Sequence, residues 1–176
     1  MLKIHYMQES SGASSAISIL LARSGITALW EPVDGSHLSL RWPVGGRRET
    51  LQIRIMDSHS RWMVWSVERM LADTGFQLDC RFLAQADAIV IVTRRFVRNC
   101  SHFVDRLRAT FDHIGRLPRE VPVVFQVSLM EDPDGEPFEA YRGALDWPIC
   151  DHVQAHANGD GVIDALNRAI ELVKAR

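Results

Sequence analysis

Two continuous apolar runs constrain the fold of this chain more than any other feature. Residues Ala88 to Val92 read Ala-Ile-Val-Ile-Val, and Val121 to Val127 form a second run rich in β-branched residues. Apolar runs that do not alternate with polar residues are typical of parallel strands with both faces covered by helices. We therefore predict that both runs form central strands of a mainly parallel sheet.

Shorter patterns predict the other strands. Residues 2–6 form an apolar-rich strand near the amino terminus, and residues 36–42 and 51–55 alternate apolar with polar positions. The turn-forming sequence Gly45 to Arg48 lies between the two alternating segments, so these segments are expected to form a β-hairpin. One more short strand is expected before the last helix.

Four segments carry apolar residues at helical spacing, namely 14–25, 64–71, 96–114 and 162–173. The second of them belongs to a long stretch from Asp57 to Ala86, and we expect Gly75 to break it. The third presents an apolar face that starts at Phe96. Asn158 or Asp160 is expected to cap the last helix.

The order of these elements predicts an α/β fold built as a three-layer α/β/α sandwich, with a mostly parallel sheet and one antiparallel hairpin at its edge. A length of 176 residues fits a single domain with a full hydrophobic core. The turn-rich segment Glu131 to Pro137 is linker-like, and we place it inside the domain. We therefore expect one domain over residues 1–176.

Composition and charge exclude several classes of function. A formal net charge of -2 gives no overall attraction to nucleic acid. No apolar run approaches the ~20 residues that span a bilayer, and the amino-terminal sequence lacks a signal-peptide apolar region, so we expect a cytoplasmic location. The three widely spaced cysteines fit neither a disulfide framework nor a metal site. The seven histidines form no metal-binding pair at helical spacing.

The turn after the first strand is the expected phosphate site, because ligands in such sheets bind at the carboxyl ends of the strands. The phosphate-binding loop G-x-x-x-x-G-K-S/T aligns with Met7 at its first glycine, Gly12 at its second, Ala13 at its lysine and Ser14 at its hydroxyl. Ala13 supplies no cation, and Glu9 adds a negative charge. We therefore expect a triphosphate to be held poorly.

The order of the elements and turns resembles the Ras-like small GTPases, most of all the bacterial gliding-motility (MglA-type) branch. The first strand followed by Ser11-Gly12-Ala13-Ser14-Ser15 is similar to the first strand and phosphate loop of that family, and Val121 to Gln126 is similar to its strand before the guanine-reading motif. The resemblance covers nearly the whole chain. It implies a degenerate nucleotide site at Gly12, Ala13, Ser14, Ser15, Asp57, Ser128 and Glu131.

The motifs that would contact the nucleotide depart from the family pattern together. Residues 57–61 align with D-x-x-G-Q, so Asp57 is kept, while Ser60 and Arg61 replace the glycine and the water-positioning glutamine. Residues 128–131 align with N-K-x-D, and Glu131 alone resembles its counterpart. The hydrolytic residues and the base-reading residues are therefore both altered.

The resemblance thus implies a pseudo-GTPase, a scaffold or regulator with no catalytic residue and no bound cofactor. Ser14 and Asp57 are weak candidates for holding a magnesium ion, and we prefer a structural role for both. Residues 155–157 replace the S-A-K motif, and Ser36 is a weak candidate for the first-switch threonine. Two alternatives stay open. One is an active GTPase switch that binds GTP or GDP with Mg²⁺ and uses Arg61 as its cation, and the other is an unrelated flavodoxin-like or receiver-like binding domain.

Partner binding is the function that the resemblance implies for such a domain, with a Roadblock/LC7-type dimer as the partner. We expect the contact at the hairpin edge and at residues 57–75, through Arg61, Trp62 and Trp65. Aromatic and arginine side chains dominate the energies of interfaces. Packing of an amphipathic helix explains the two tryptophans equally well.

A segment from Arg94 to Arg119 contains seven arginines. The preferred interpretation is the solvated outer face of a helix. The other interpretation is docking to an acidic partner, because no nucleic-acid motif accompanies the charge.

Overall fold

The structure, a computed structural model, describes residues 1–8, 29–30, 37–44, 46–56, 65–94, 96–97, 100–115, 120–128, 136–137, 139, 142–143, 150–155 and 161–176. Seven strands form one sheet: β1 (Leu2–Gln8), β2 (Leu29–Trp30), β3 (His37–Val44), β4 (Arg47–Met56), β5 (Ala88–Arg94), β7 (Val123–Ser128) and β9 (Cys150–Ala155). Two short strands, β6 (Phe96–Val97) and β8 (Glu136–Pro137), pair separately.

The large sheet is mostly parallel, and its strand order is β2-β3-β4-β1-β5-β7-β9. The pairs β4–β1, β1–β5, β5–β7 and β7–β9 are parallel, while β2–β3 and β3–β4 are antiparallel. The prediction of a mostly parallel sheet with an antiparallel hairpin at one edge is therefore confirmed. Strands β5 and β7 each have a parallel partner on both sides, as the two apolar runs predicted.

The hairpin turn is tighter than the sequence indicated. Val44 pairs with Arg47, so Arg47 and Arg48 belong to β4 rather than to the turn. Gly46 has a φ of 81°, a left-handed conformation that glycine adopts without strain. The connection between the strands is thus reduced to two residues.

Four helices of at least six residues accompany the sheet in the described part of the chain: α1 (Val67–Ala72), α2 (Thr74–Leu83), α3 (Cys100–Ile114) and α4 (Val162–Lys174). The predicted break at Gly75 is wrong. The break lies at Asp73, whose carboxylate accepts a hydrogen bond from the backbone N–H of Phe76 at 2.8 Å. This side-chain cap starts α2, and Gly75 becomes its second residue.

Two other predicted boundaries also differ. Phe96 belongs to β6 and not to the helix that follows, because its backbone pairs with Pro137. The cap of α4 is Gly161, which has a φ of 83° and makes no side-chain cap bond. Asn158 and Asp160, like the predicted helix over 14–25, lie outside the described residues.

Two apolar clusters use opposite faces of the sheet. Side chains alternate along β5, so Ile89 and Ile91 belong to the first cluster, whereas Val90 and Val92 belong to the second. Helices α1, α2 and α3 contribute to the first cluster, and α4 contributes to the second. The helical members of the first include Met70, Phe76, Leu83, Leu107 and Phe111, and those of the second include Val162, Leu166 and Ile170.

Helix α4 also holds the antiparallel hairpin. The buried indole of Trp42 on β3 donates a hydrogen bond from Nε1 to Oδ1 of Asn167 at 3.0 Å. At the end of the helix, Nζ of Lys174 lies 2.8 Å from Oε1 of Glu49 on β4. These contacts fix the hairpin against the body of the sheet.

Candidate functional site

The parallel strands have the order of a doubly wound sheet. Taken in chain order, β1, β4, β5, β7 and β9 stand in the spatial order 2-1-3-4-5. In such sheets the ligand binds outside the carboxyl ends of the strands, where the winding direction reverses. Here that position lies beside the ends of β1 and β5.

The pairing register brings the carboxyl ends of the parallel strands to one edge. Gln8 pairs with Val92, Met7 pairs with Met56, and Ser128 pairs with both Arg94 and Ala155. The predicted site segments follow these strand ends along the chain, since residue 9 follows β1, Asp57 follows β4 and residue 129 follows β7. The described ends of these strands, Gln8, Met56 and Ser128, therefore lie at the edge at which the sequence placed a ligand.

Ser128 is the predicted nucleotide-site residue within the described part of the chain, and it is the last residue of β7. Trp65 of the predicted partner site is also described, and the other predicted residues of the nucleotide, metal and partner sites lie outside the described residues: Gly12, Ala13, Ser14, Ser15, Ser36, Asp57, Arg61, Trp62 and Glu131.

Met7 does not occupy a turn. It is a strand residue paired with Met56 on one side and Ile91 on the other, and its side chain is buried in the first apolar cluster. The expectation that Met7 and Gln8 belong to the turn after the first strand is therefore wrong, because strand β1 continues through Gln8. The backbone of Met7 belongs to the sheet rather than to a phosphate cradle.

Two buried polar side chains lie near this edge and were not singled out by the sequence. Tyr6 on β1 belongs to the α4 cluster, and Gln126 on β7 alternates with first-cluster residues, so both face the α4 side. Oη of Tyr6 and Oε1 of Gln126 have no hydrogen-bond partner among the atoms of the described residues. Burial raises the pKa of Tyr6 far above its usual value, so the phenol stays protonated. Both groups offer neutral hydrogen bonds and no charge for a phosphate.

Trp65, the predicted partner-binding residue that the structure describes, is half-buried. The guanidinium carbon of Arg69 lies 4.4 Å from the centre of its ring, which is a cation–π contact. Its backbone carbonyl accepts a hydrogen bond from Nη2 of Arg106. The tryptophan is thus held at the start of α1 without being part of either apolar cluster.

The burial of Arg106 shows that the arginine-rich segment is not a solvated face throughout. Its side chain is buried, and besides Trp65 its guanidinium bonds the carbonyl of His102 at 3.3 Å. Arg108, two residues later on α3, is exposed. Helix α3 therefore uses one arginine for an internal contact with the segment before α1. The structure does not describe the side chains of the other five arginines of this segment, namely Arg94, Arg95, Arg98, Arg116 and Arg119.

The described part of the chain contains side chains of the metal-ligating types and one described thiol. No group of three or more His, Cys, Asp or Glu side chains there is arranged to hold a metal ion. The thiol of Cys80 is free and buried, and burial, followed by the charge of Asp79, raises its pKa to about 12. None of the described helices is long and apolar enough to cross a bilayer.

Comparison with known proteins adds no assignment. No protein-family model matches the chain, and no curated protein matches it significantly.

Proposed function

We propose that this protein is a catalytically inactive, Ras-like protein-binding domain of the MglA type, built as a three-layer α/β/α sandwich. The observation that carries the proposal is the strand arrangement. Five parallel strands in the order 2-1-3-4-5 are extended at one edge by the antiparallel strands β3 and β2. A mostly parallel sheet with an antiparallel hairpin edge is what the resemblance implies. The hairpin edge also favours this proposal over a plain flavodoxin-like or receiver-like domain, whose parallel order is the same.

Loss of nucleotide binding follows from the chemistry around β1. The strand uses Met7 in its ladder, and the chain has alanine at position 13, where a phosphate-binding lysine would stand. The chain therefore offers a triphosphate neither the first glycine of a phosphate loop nor the lysine that would balance the phosphate charge. These two features support a domain without a cofactor.

Partner binding is supported by the fixed position of Trp65. The buried guanidinium of Arg106 holds the carbonyl of Trp65, and Arg69 covers its ring. A surface that is ordered before binding avoids the entropic cost of ordering on binding. We propose that Trp65, with Arg61 and Trp62, contacts a Roadblock/LC7-type dimer.

The nucleotide part of the proposal is tested by titrating the purified chain with GTP, GDP and ATP in the presence of magnesium. We expect no heat of binding at micromolar concentrations and no change in the melting temperature. A site filled at 100 times its dissociation constant would add ~2.7 kcal/mol to the free energy of unfolding and raise the melting temperature by several degrees. Micromolar affinity, or a rise in melting temperature with GTP but not with ATP, would instead establish the active GTPase alternative.

The partner part is tested with Trp65→Ala and a co-purified Roadblock/LC7-type dimer. We expect the affinity to fall by ~2 kcal/mol or more, with little change in the free energy of unfolding, because the ring lies outside both apolar clusters. Leu78→Ala is the matched control, since Leu78 is an exposed apolar residue on α2. Equal losses of affinity in both variants, or unchanged affinity in Trp65→Ala, would contradict the assignment of Trp65.

A further inference from the structure

A cavity of about 330 Å³ opens at the opposite edge of the sheet, beside the amino end of β1. It lies between the sheet and the end of α2. The polar and aromatic side chains that line it are Lys3, His5, Gln52, Arg54, Phe82 and Gln85. A volume of this size is at the lower end of the range for small-molecule sites.

His5 gives the cavity a buried polar group. The residue is 2% exposed, and its Nε2 has no hydrogen-bond partner among the described atoms. Burial, and then the charge of Arg54 on the neighbouring strand, lowers the pKa of His5 to about 3. The imidazole is therefore neutral, and a hydrogen-bonding group in the cavity would satisfy a ring nitrogen that the protein leaves unpaired.

The charges around the cavity favour an anion. Lys3 and Arg54 line it, and none of the described lining residues is acidic. Nζ of Lys3 is held by Oε1 of Gln85 at 3.1 Å, so this cation is positioned at the wall. Asp79 pairs with Arg54 at 3.5 Å from outside the lining and offsets part of the charge.

An apolar wall completes the site. The ring of Phe82 stacks on Arg54, with 3.3 Å between the ring centre and the guanidinium carbon. This stacking fixes the orientation of the guanidinium, and Ala86, which packs in the cluster on the same face of the sheet, adds apolar surface. A cationic wall beside an apolar wall suits a molecule with one charged head and an apolar body.

We propose that this cavity binds a small organic anion, with its carboxylate facing Lys3 and Arg54, its body against Phe82, and a polar atom bonded to Nε2 of His5. The cavity lies at the amino ends of the strands, away from the carboxyl edge. The inference is therefore independent of the proposed protein-binding function.

The test uses three probes of one shape on the full chain: 2-naphthoate, the neutral 2-naphthamide, and the cationic 2-naphthylmethylammonium. We expect naphthoate to bind about tenfold more tightly than the amide, the equivalent of one charge-assisted hydrogen bond. The cation should bind weakest of the three. Amide-proton chemical shifts should change around Lys3, His5 and Phe82.

Two variants and one control locate the binding. Lys3→Gln removes a lining cation from a half-buried position and should bring naphthoate down to the affinity of the amide. Arg54→Gln should have the same effect or a larger one, and Lys3→Gln decides the matter if that variant does not fold. Lys174→Gln removes a cation from α4 and should leave naphthoate binding unchanged. No binding at millimolar concentration, equal binding of the three probes, an unaffected Lys3→Gln variant, or shift changes elsewhere would each overturn the proposal.

Discussion

The buried histidine of β1 should make the stability of this protein depend on pH in a defined window. His5 is 2% exposed, and burial together with the charge of Arg54 lowers its pKa to about 3. In the unfolded chain the same imidazole has a pKa of about 6.5. Below pH 6.5 the unfolded chain therefore binds a proton that the folded protein does not take up until the pH approaches 3.

The sign and size of the effect follow from this difference. Because the unfolded state binds more protons, the free energy of unfolding falls as the pH falls through the window, and no loss arises from His5 above pH ~6.5. Each pH unit inside the window costs ~1.4 kcal/mol. Acidification from neutral pH to ~4.5 should therefore cost about 3 kcal/mol through this residue alone.

Urea unfolding at several pH values measures the effect when the parent chain is compared with His5→Gln. The variant loses packing at every pH, so the quantity of interest is its pH dependence rather than its stability. Carboxylates that protonate in this range are common to both chains and cancel in the difference. We expect the parent chain to lose about 3 kcal/mol more than His5→Gln between pH 7 and ~4.5.

Parallel pH curves for the parent and His5→Gln would refute the reasoning. So would a His5 ring resonance that titrates near pH 6.5 in the folded protein, because it would show that water reaches the imidazole. Either result would also show that His5 is not a buried neutral group in the cavity beside the amino end of β1.

Three further substitutions test single contacts by urea unfolding. Gly161→Ala should destabilise the protein by more than ~2 kcal/mol, since a Cβ at φ 83° would overlap the backbone of β9. Gly143→Ala is the control and should change stability by less than ~0.5 kcal/mol, because a Cβ there would lie within 4 Å of no described atom. Asp73→Ala should cost about 1 kcal/mol through loss of the α2 cap, and no loss would mean that the cap does not contribute. Trp42→Phe should also cost ~1 kcal/mol, because it leaves Asn167 without its indole donor, and an unchanged midpoint would contradict this.

The central strands could be predicted from the sequence because a strand that is buried on both faces consists mainly of apolar residues. Ile89 and Ile91 pack on one face and Val90 and Val92 on the other, so a parallel strand covered on both sides has no polar position to interrupt the run. The boundaries were not predictable in the same way. Asp73 and Gly75 are both helix-ending residues in sequence, and the hydrogen bond to Phe76 decides which one ends α1.

The carboxyl-edge site was predictable as a place but not as a set of contacts. The sequence placed it at the strand ends, and the register brings Ser128 to that edge. It could not show that Arg106 is buried, because an arginine in a charged helix has the same pattern whether its guanidinium faces water or a carbonyl. The burial of His5 could have been predicted, because this residue stands between Ile4 and Tyr6 in a strand that has parallel partners on both sides.

The contact between Trp42 and Asn167 joins residues that are 125 positions apart in the chain. During synthesis the hairpin leaves the ribosome well before α4, so the indole has no acceptor from this helix and Glu49 has no lysine partner until the helix is made. Contacts of such long range form late, since the intervening chain must first be ordered. Docking of α4 on the hairpin is therefore a closing step in the folding of the nascent chain, and a ribosome stalled before residue 162 would hold a hairpin that lacks both of these contacts.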